Sequence, residues 1–152
     1  MVIPMGKPAA WAAVSGEGIR GMVHFYDTEG GAVVTAEIHG LPENGTGFFA
    51  FHIHENGNCP EPGGHYNPEG KSHPLHAGDL PPLLSAGGKA WMAVLTDRFR
   101  PEDVAGRTVV IHGGADDFRI QPAGNPGKRI ACGVIHAKTE EKLYNMRKRL
   151  QD

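Results

Sequence analysis

The chain has 152 residues and a mass of 16.3 kDa, which is enough for one domain with a sizeable core and too little for two ordinary domains. Its 15 lysines and arginines stand against 17 aspartates and glutamates, so we expect neither nucleic acid nor a membrane as a partner. No stretch approaches the roughly 20 apolar residues of a transmembrane helix, and Pro4 and Pro8 interrupt the run that a signal sequence needs. We therefore expect one cytoplasmic domain over residues 1–152, or a periplasmic or secreted one if a leader was removed.

Short segments in which apolar and polar residues alternate indicate antiparallel strands. Every second side chain from Ala32 to Ile38 is apolar, which is the period of a half-buried strand. The 22 glycines and 12 prolines favour many strands joined by turns, without an interior helix. We predict an all-β fold, an eight-stranded antiparallel Greek-key barrel or sandwich. The predicted strands are 9–15, 19–27, 32–39, 48–54, 89–96, 107–112 and 129–135, with 97–104 as a further short strand or a connection.

Three segments lie outside this pattern. Residues 55–88 and 113–128 are long loops, and loops of this length are usually functional or anchored. The first loop holds six prolines and three histidines, so bound metal and sulfur can replace a hydrophobic core there. The tail 137–152 follows a core of 9–136, and its apolar positions at helical spacing predict a short amphipathic helix, which we interpret as a packed or fraying terminus rather than a partner-binding helix. Those positions are Leu143, Met146 and Leu150.

The histidines indicate a metal site. His52 and His54 are two residues apart near the end of a predicted strand, so both imidazoles point to one face of the sheet. The loop that follows offers three more imidazoles and a carboxylate within 15 positions, a four-ligand set that suits zinc. These residues are His65, His73, His76 and Asp79. His112 ends another predicted strand, from which its ring can meet the His52–His54 pair.

The remaining histidines and the two cysteines are less informative. His24, His39 and His136 lie in or just after strands without neighbouring ligands, so we expect surface or packed side chains. Cys59 and Cys132 are too few for a disulfide scaffold and wrongly spaced for a zinc ribbon. They form either one long-range disulfide or two unrelated thiols.

Taken together, the motifs resemble those of the copper/zinc superoxide dismutase family over nearly the whole chain, from Ala9 to His136. The His-x-His pair, the Gly-His-Tyr-Asn-Pro segment 64–68 and the strand 106–112 match that family's copper-binding segments. The segment His-Ala-Gly-Asp-Leu at 76–80 matches part of its zinc site. The segment 124–134 resembles the one that carries an active-site arginine and the second disulfide cysteine.

The resemblance implies a role for each matching residue. Copper would be bound by His52, His54, His65 and His112, and zinc by His65, His73, His76 and Asp79. His65 would bridge the two metals and carry a proton during catalysis, and Arg129 would attract the anionic substrate. Asp116 would hydrogen-bond a copper ligand and a zinc ligand together, and Cys59 would form a disulfide with Cys132.

The implied activity is the conversion of superoxide to oxygen and hydrogen peroxide by alternating copper(II) and copper(I), with a structural zinc. Monomer and homodimer both stay open. Only two residues separate His73 from His76, and the loop 113–128 is short for the family. Two hypotheses follow: the tight loop weakens zinc binding, or it leaves copper more exposed.

Two other functions are compatible with parts of this pattern. A non-enzymatic copper-binding domain on the same fold would be expected to lack a copper ligand, yet all four copper positions and Arg129 are present. A cupin also carries His-x-His on a strand, but it needs a glutamate a few residues later. Here Glu55 is directly adjacent and the next acid is Glu61, so this alternative is poorly supported.

Overall fold

The computed structural model describes residues 6–138 and residue 148, and within them it has nine β-strands and one helical turn. Their bounds are β1 Ala10–Gly16, β2 Ile19–Thr28, β3 Gly31–His39, β4 Phe48–Phe49, β5 Phe51–His54, β6 Leu83–Leu84, β7 Ala90–Thr96, α1 Pro101–Val104, β8 Thr108–His112 and β9 Arg129–Ala137.

Seven strands form one antiparallel sheet in the order β5-β8-β9-β1-β2-β3-β7. The strands β4 and β6 form a separate two-stranded ladder. This ladder lies between the two edges of the sheet, because β4 precedes β5 directly and β6 contacts β7. The chain crosses between the edges twice, from β3 to β5 and from β7 to β8. The predicted all-β antiparallel fold is therefore confirmed, as a curled sheet.

The core follows the two-residue period of the strands. In β3 the predicted inner face is buried, and Val34 and Ile38 are completely inaccessible. The neighbouring strands supply matching partners, since Val34 lies opposite Phe25 on β2 and Val94 on β7. Val33 is also buried, although it was predicted on the outer face. Its cross-strand neighbours Tyr26 and Leu95 cover it from both sides.

The segment 97–104 is a connection and not a strand. It contains the one-turn helix α1, so the prediction of no interior helix is wrong at this point. Pro101 begins α1, where its fixed φ favours a helix start and its missing N–H costs nothing. The carboxylate of Asp103 accepts a hydrogen bond from the backbone N–H of Arg100 at 2.8 Å, which closes the turn. A helix of four residues is stabilised by contacts within its own turn. It is too short to produce a helical period in the sequence.

The predicted strand 48–54 is divided at Ala50. The N–H of Ala50 donates to the carbonyl of Gly114 at 2.9 Å, and its carbonyl accepts from His112 N–H at 3.0 Å. The chain therefore leaves the β4–β6 ladder here and joins β8 through β5. The loop 55–88 is also not entirely irregular, because it contains β6.

Among the described residues no helix is long and apolar enough to cross a membrane. The predicted helical tail 137–152 begins one residue too early, because Ala137 belongs to β9. Residues 139–152, apart from Lys148, lie outside the described part of the chain.

Candidate metal centre

Strand β5 presents its histidines on the face opposite to the hydrophobic core. Phe51 and Ile53 belong to the core, while His52 and His54 alternate with them and face the loop 55–88. This loop lies along the free edge of β5 through backbone hydrogen bonds, including Tyr66 N–H to the carbonyl of Ile53 at 2.8 Å. The edge of the sheet therefore brings the loop histidines next to the strand histidines.

Two overlapping groups of potential ligand atoms converge at this edge, each within 4.8 Å. One group holds His52, His54 and His112, and the other holds His52, His65, His73 and Asp79. The ring of His65 lies against both strand histidines, with centroids 4.0 Å from His52 and 4.9 Å from His54. The predicted ligands of both metals thus lie in one continuous cluster.

Several ring nitrogens in this cluster are buried without a hydrogen-bond partner. A buried polar atom without a partner is unfavourable, and unpaired atoms that cluster point to a missing ligand. Unprotonated imidazole nitrogens suit copper and zinc, so the residues present fit these metals. In the copper set the unpaired atoms are Nδ1 of His52 and Nε2 of His54, His65 and His112.

The other nitrogen of each strand histidine is fixed by an oxygen. Nδ1 of His54 donates to the carbonyl of Gly63 at 2.7 Å, and Nδ1 of His112 donates to that of Gly127 at 3.1 Å. Nε2 of His52 donates to Oδ2 of Asp116 at 2.8 Å. Because these oxygens take the ring protons, the nitrogen that faces the cluster is left free to bind a cation.

A further set of four side chains has the spacing of a closed zinc site. It shares His65, His73 and Asp79 with the second group and has His76 in place of His52. Nδ1 of His65 lies 2.7 Å from Oδ1 of Asp79 and 3.1 Å from Nδ1 of His76. Oδ2 of Asp79 lies 3.0 Å from Nδ1 of His73 and 3.3 Å from Nδ1 of His76. Ligands at 2.0–2.1 Å in a tetrahedron are about 3.3 Å apart. The observed separations are equal to this value or shorter, so the four side chains converge closely enough to surround one zinc ion.

His65 reaches both groups with one ring. Its Nδ1 lies among the zinc-type ligands, and its buried Nε2 has no hydrogen-bond partner and adjoins the copper-type ligands. A single imidazole can bind one cation at each nitrogen. The ring is therefore suited to bridge two metals.

Asp116 connects the two groups from behind. Its Oδ2 accepts from Nε2 of His52, and its Oδ1 accepts from Nε2 of His73 at 2.7 Å. Gly124 packs directly on this hydrogen bond with φ of +78°, and a Cβ at that position would collide with Oδ1 of Asp116. The site thus needs a glycine here for both its backbone conformation and its size.

Burial sets the charge of the cluster. Burial, together with the neighbouring His65 and His112, lowers the pKa of His52 to about 2 and that of His54 to about 4. Burial would raise the pKa of Asp79, but its hydrogen bond with His65 and the nearby imidazoles lower it overall. At neutral pH His52 and His54 are therefore neutral imidazoles and Asp79 is a carboxylate, which are the states that bind metal.

Arg129 begins β9 directly opposite His112 and is exposed to solvent. Burial is the main cause that lowers the pKa of His54 and of His112. The positive charge of Arg129 is a smaller cause that lowers both pKa values further. Its side chain forms no salt bridge in the described part of the chain. An uncompensated guanidinium therefore stands beside the copper-type ligands.

The disulfide between Cys59 and Cys132 is present, with a Cα–Cα distance of 5.8 Å. This confirms the first of the two alternatives for the cysteines. Cys132 lies on β9 opposite Val110 of β8, three residues after Arg129. The bond therefore attaches the start of the loop 55–88 to the sheet close to the guanidinium.

Three histidines lie apart from the cluster, as predicted. His24 contacts the ring of Tyr26, and His39 lies 3.3 Å from Glu37. His136 packs against Trp11 with ring centroids 4.9 Å apart. None of the three belongs to a group of potential metal ligands within the described residues. Glu55, the acid directly after the His-x-His pair, forms a salt bridge with Arg107 at 2.8 Å.

Sequence reasoning missed two side chains that hydrogen-bond the backbone around the zinc-type ligands. Gln121 and Arg98 hydrogen-bond the backbone of residues 73–76. Every residue has a backbone carbonyl, so a hydrogen bond to the backbone does not require a particular side chain at the residue contacted. Such contacts therefore leave no recognisable pair of residue types in the sequence.

The metal-free protein should become less stable as the pH falls from 6.5 towards 4. The pKa of both His52 and His54 is lower in the folded protein than the ordinary value of 6.5, so in this range the unfolded chain binds more protons. The free energy of unfolding is therefore highest above pH 6.5 and decreases as the pH falls below that value. Denaturant unfolding of the metal-free chain across this range measures the effect.

Bound metal should reduce this loss, because it occupies the nitrogens that would be protonated. A His54→Gln variant removes one titrating group, and its metal-free unfolding free energy should depend less steeply on pH. A pH-independent unfolding free energy in the metal-free wild type would contradict the prediction.

The comparisons with known proteins agree with this geometry. Residues 19–135 match the family model described as copper/zinc superoxide dismutase (SODC). The chain is 38% identical over 137 residues to superoxide dismutase [Cu-Zn] 2 of Aquifex aeolicus, a match that covers 77% of this chain and 79% of that protein. It is 37% identical over 147 residues to superoxide dismutase [Cu-Zn] of Deinococcus radiodurans, covering 78% of each.

A further relative and a solved structure are also similar. The rat extracellular superoxide dismutase [Cu-Zn] is 33% identical over 152 residues, covering 89% of this chain and 62% of that protein. A crystal structure of the clock protein EA4 matches with a TM-score of 0.74 and 34% identity. The match covers 90% of this chain and 99% of that chain. The family match spans most of the strands and both ligand groups. The chain therefore belongs to the copper/zinc superoxide dismutase family.

Proposed function

We propose that the protein dismutates superoxide at a two-metal site whose ligands are divided between the two groups. Copper is bound by His52, His54, His65 and His112, and zinc by His65, His73, His76 and Asp79. The observation that carries this proposal is the convergence of buried ring nitrogens that have no hydrogen-bond partner. Family membership supports copper and zinc as the metals.

Copper, when bound, would supply the electron transfer by alternating between two oxidation states, so that one superoxide is oxidised to oxygen and a second, with two protons, is reduced to hydrogen peroxide. His65 has the proton-handling role. Its Nδ1 is engaged by Asp79, so Nε2, when it is not bound to copper, is the atom that can hold a proton and donate it to the reduced substrate. The same ring thereby serves binding and proton transfer.

The zinc ligands have a structural role. The loop 55–88 has a single two-residue strand, and its histidines come together around Asp79. Zinc held by these residues would fix the far side of His65 and stabilise a loop that has few ladder hydrogen bonds of its own.

Arg129 attracts and orients the substrate. Superoxide is a small anion, and a guanidinium that is always charged can donate hydrogen bonds to it. Its place opposite His112 brings these donors next to the copper ligands. The net negative charge of the chain makes this local cation more important.

The test measures copper and zinc content together with the rate of superoxide consumption in the reconstituted protein. We expect one copper, one zinc and a fast rate. Full copper without turnover would identify a copper-binding protein instead, and absence of copper would reduce the site to a zinc-stabilised scaffold.

An Arg129→Ala variant should consume superoxide about tenfold more slowly and with less sensitivity to salt, because a hydrogen bond to a charged group contributes about 1.5 kcal/mol or more. Its copper and zinc content should be unchanged. The matched control is Lys128→Ala, which removes the adjacent exposed cation and should affect the rate much less. Equal losses in the two variants would contradict a specific role for Arg129.

Four further expectations stay predictions. They are a cytoplasmic location, a homodimer as one alternative to a monomer, the absence of nucleic-acid or membrane partners, and a single domain over residues 1–152. Relatives include bacterial enzymes and an extracellular one, so family membership is compatible with several compartments. Cell fractionation tests the location, and sedimentation equilibrium tests the oligomeric state.

A further inference from the structure

Residues 72–76 carry two zinc ligands on a turn outside any strand. Only two residues separate His73 from His76, and the one backbone hydrogen bond within the turn joins Leu75 N–H to the carbonyl of Ser72 at 2.7 Å. Both imidazoles must nevertheless present Nδ1 to the same point beside Asp79. The backbone of this turn therefore needs support from elsewhere.

We propose that Gln121 and Arg98 are positioning residues that hold this turn in the zinc-binding conformation. The proposal rests on the ligand assignment made above, and it goes beyond it by naming side chains that touch neither metal nor substrate. Each side chain comes from a different segment, and together they hold the turn from both ends.

Gln121 holds the backbone of His73 at two points. Its Oε1 accepts a hydrogen bond from the N–H of His73 at 2.8 Å, and its Nε2 donates to the carbonyl of His73 at 2.7 Å. Within the described residues, these backbone groups have no other hydrogen-bond partner. The carboxamide thus satisfies both backbone groups of a ligand residue that is 3% exposed.

Arg98 holds the opposite end of the turn. Its Nη1 donates to the carbonyl of Pro74 at 2.8 Å and to the carbonyl of His76 at 3.1 Å. A guanidinium that accepts no hydrogen bond and always carries its charge is well suited to collect carbonyl oxygens that diverge at a turn. Its own backbone is fixed by an N–H to Oγ1 of Thr96 at 3.1 Å.

Gln121 also connects the zinc turn to the loop 113–128. The same loop supplies Asp116, whose Oδ1 accepts from Nε2 of His73. The backbone and the ring of one zinc ligand are therefore held by two residues of a single loop. Side chains that orient metal ligands typically change metal affinity by about ten- to a hundredfold when they are replaced.

The test compares zinc binding in the full-length chain and in Gln121→Met, which keeps the side-chain length and removes both hydrogen bonds. Zinc affinity is measured by competition with a chelator, and cobalt(II) placed in the zinc site reports the ligand geometry through its visible spectrum. We expect Gln121→Met to bind zinc about tenfold more weakly and to give an altered cobalt spectrum. Ile120→Met, at an exposed neighbouring position, is the matched control and should resemble the wild type.

Thermal unfolding of the metal-free variants separates positioning from general stability. We expect Gln121→Met to unfold close to the wild type without metal and clearly below it with zinc. An equal loss of stability in both states would overturn the proposal, and so would unchanged zinc affinity. Arg98→Met provides the second variant, with the same expected results.

Failure of the ligand assignment would look different. A wild-type chain that binds no zinc, or whose cobalt spectrum is not tetrahedral, would overturn the assignment and the positioning roles with it. Tight zinc binding in the wild type and in both variants would overturn the positioning roles alone.

Discussion

A His65→Ala variant should lose superoxide consumption by about a hundredfold or more, since general acid catalysis alone contributes about that factor. The change also takes one nitrogen from each metal site. The three histidines His52, His54 and His112 still converge, so copper should remain bound, but more weakly. The measurement is the superoxide consumption rate at matched copper content.

The result would separate proton transfer from metal loss. If the rate per bound copper falls by this factor, the proton held at Nε2 of His65 accounts for the loss. A His39→Ala variant is the control, because His39 is a surface histidine whose ring lies beside Glu37. A rate per copper equal to that of the wild type would contradict the proposed role of His65.

Replacing Cys59 and Cys132 together by serine should lower the free energy of unfolding by about 4 kcal/mol. The two cysteines are 73 positions apart, so the bond restricts a large closed loop in the unfolded chain. Denaturant unfolding of the metal-free protein measures this difference without a contribution from the metals.

Reduced wild type is the matched control, since it has the same side chains without the bond. It should lose about as much stability as the double variant. If the double variant were as stable as the oxidised wild type, the chain-entropy explanation would be wrong for this loop.

Much of the fold could be predicted because its determinants are local. The alternation from Ala32 to Ile38 was enough to place β3 and its buried face, and the position of His52 and His54 on a strand was enough to predict that they share a face. Candidate metal ligands can also be predicted from the sequence, because only a few residue types bind copper or zinc.

The elements that could not be predicted depend on contacts distant in sequence or on the backbone. The break at Ala50 depends on hydrogen bonds to Gly114 and His112, more than 60 residues later. Gln121 contacts His73 across 48 positions and recognises only its peptide groups. No local pattern encodes either contact.

The carboxylate of Asp116 has a thermodynamic consequence for how the protein acquires its metals. Under the ligand assignment proposed above, its two oxygens accept hydrogen bonds from one ligand of each site, so we expect that ordering His73 around zinc also orders His52 for copper. If bound zinc multiplies the association constant of copper by some factor, bound copper must multiply the association constant of zinc by the same factor. Loading is then cooperative, and a cell that is short of one metal produces protein that also retains the other metal less tightly.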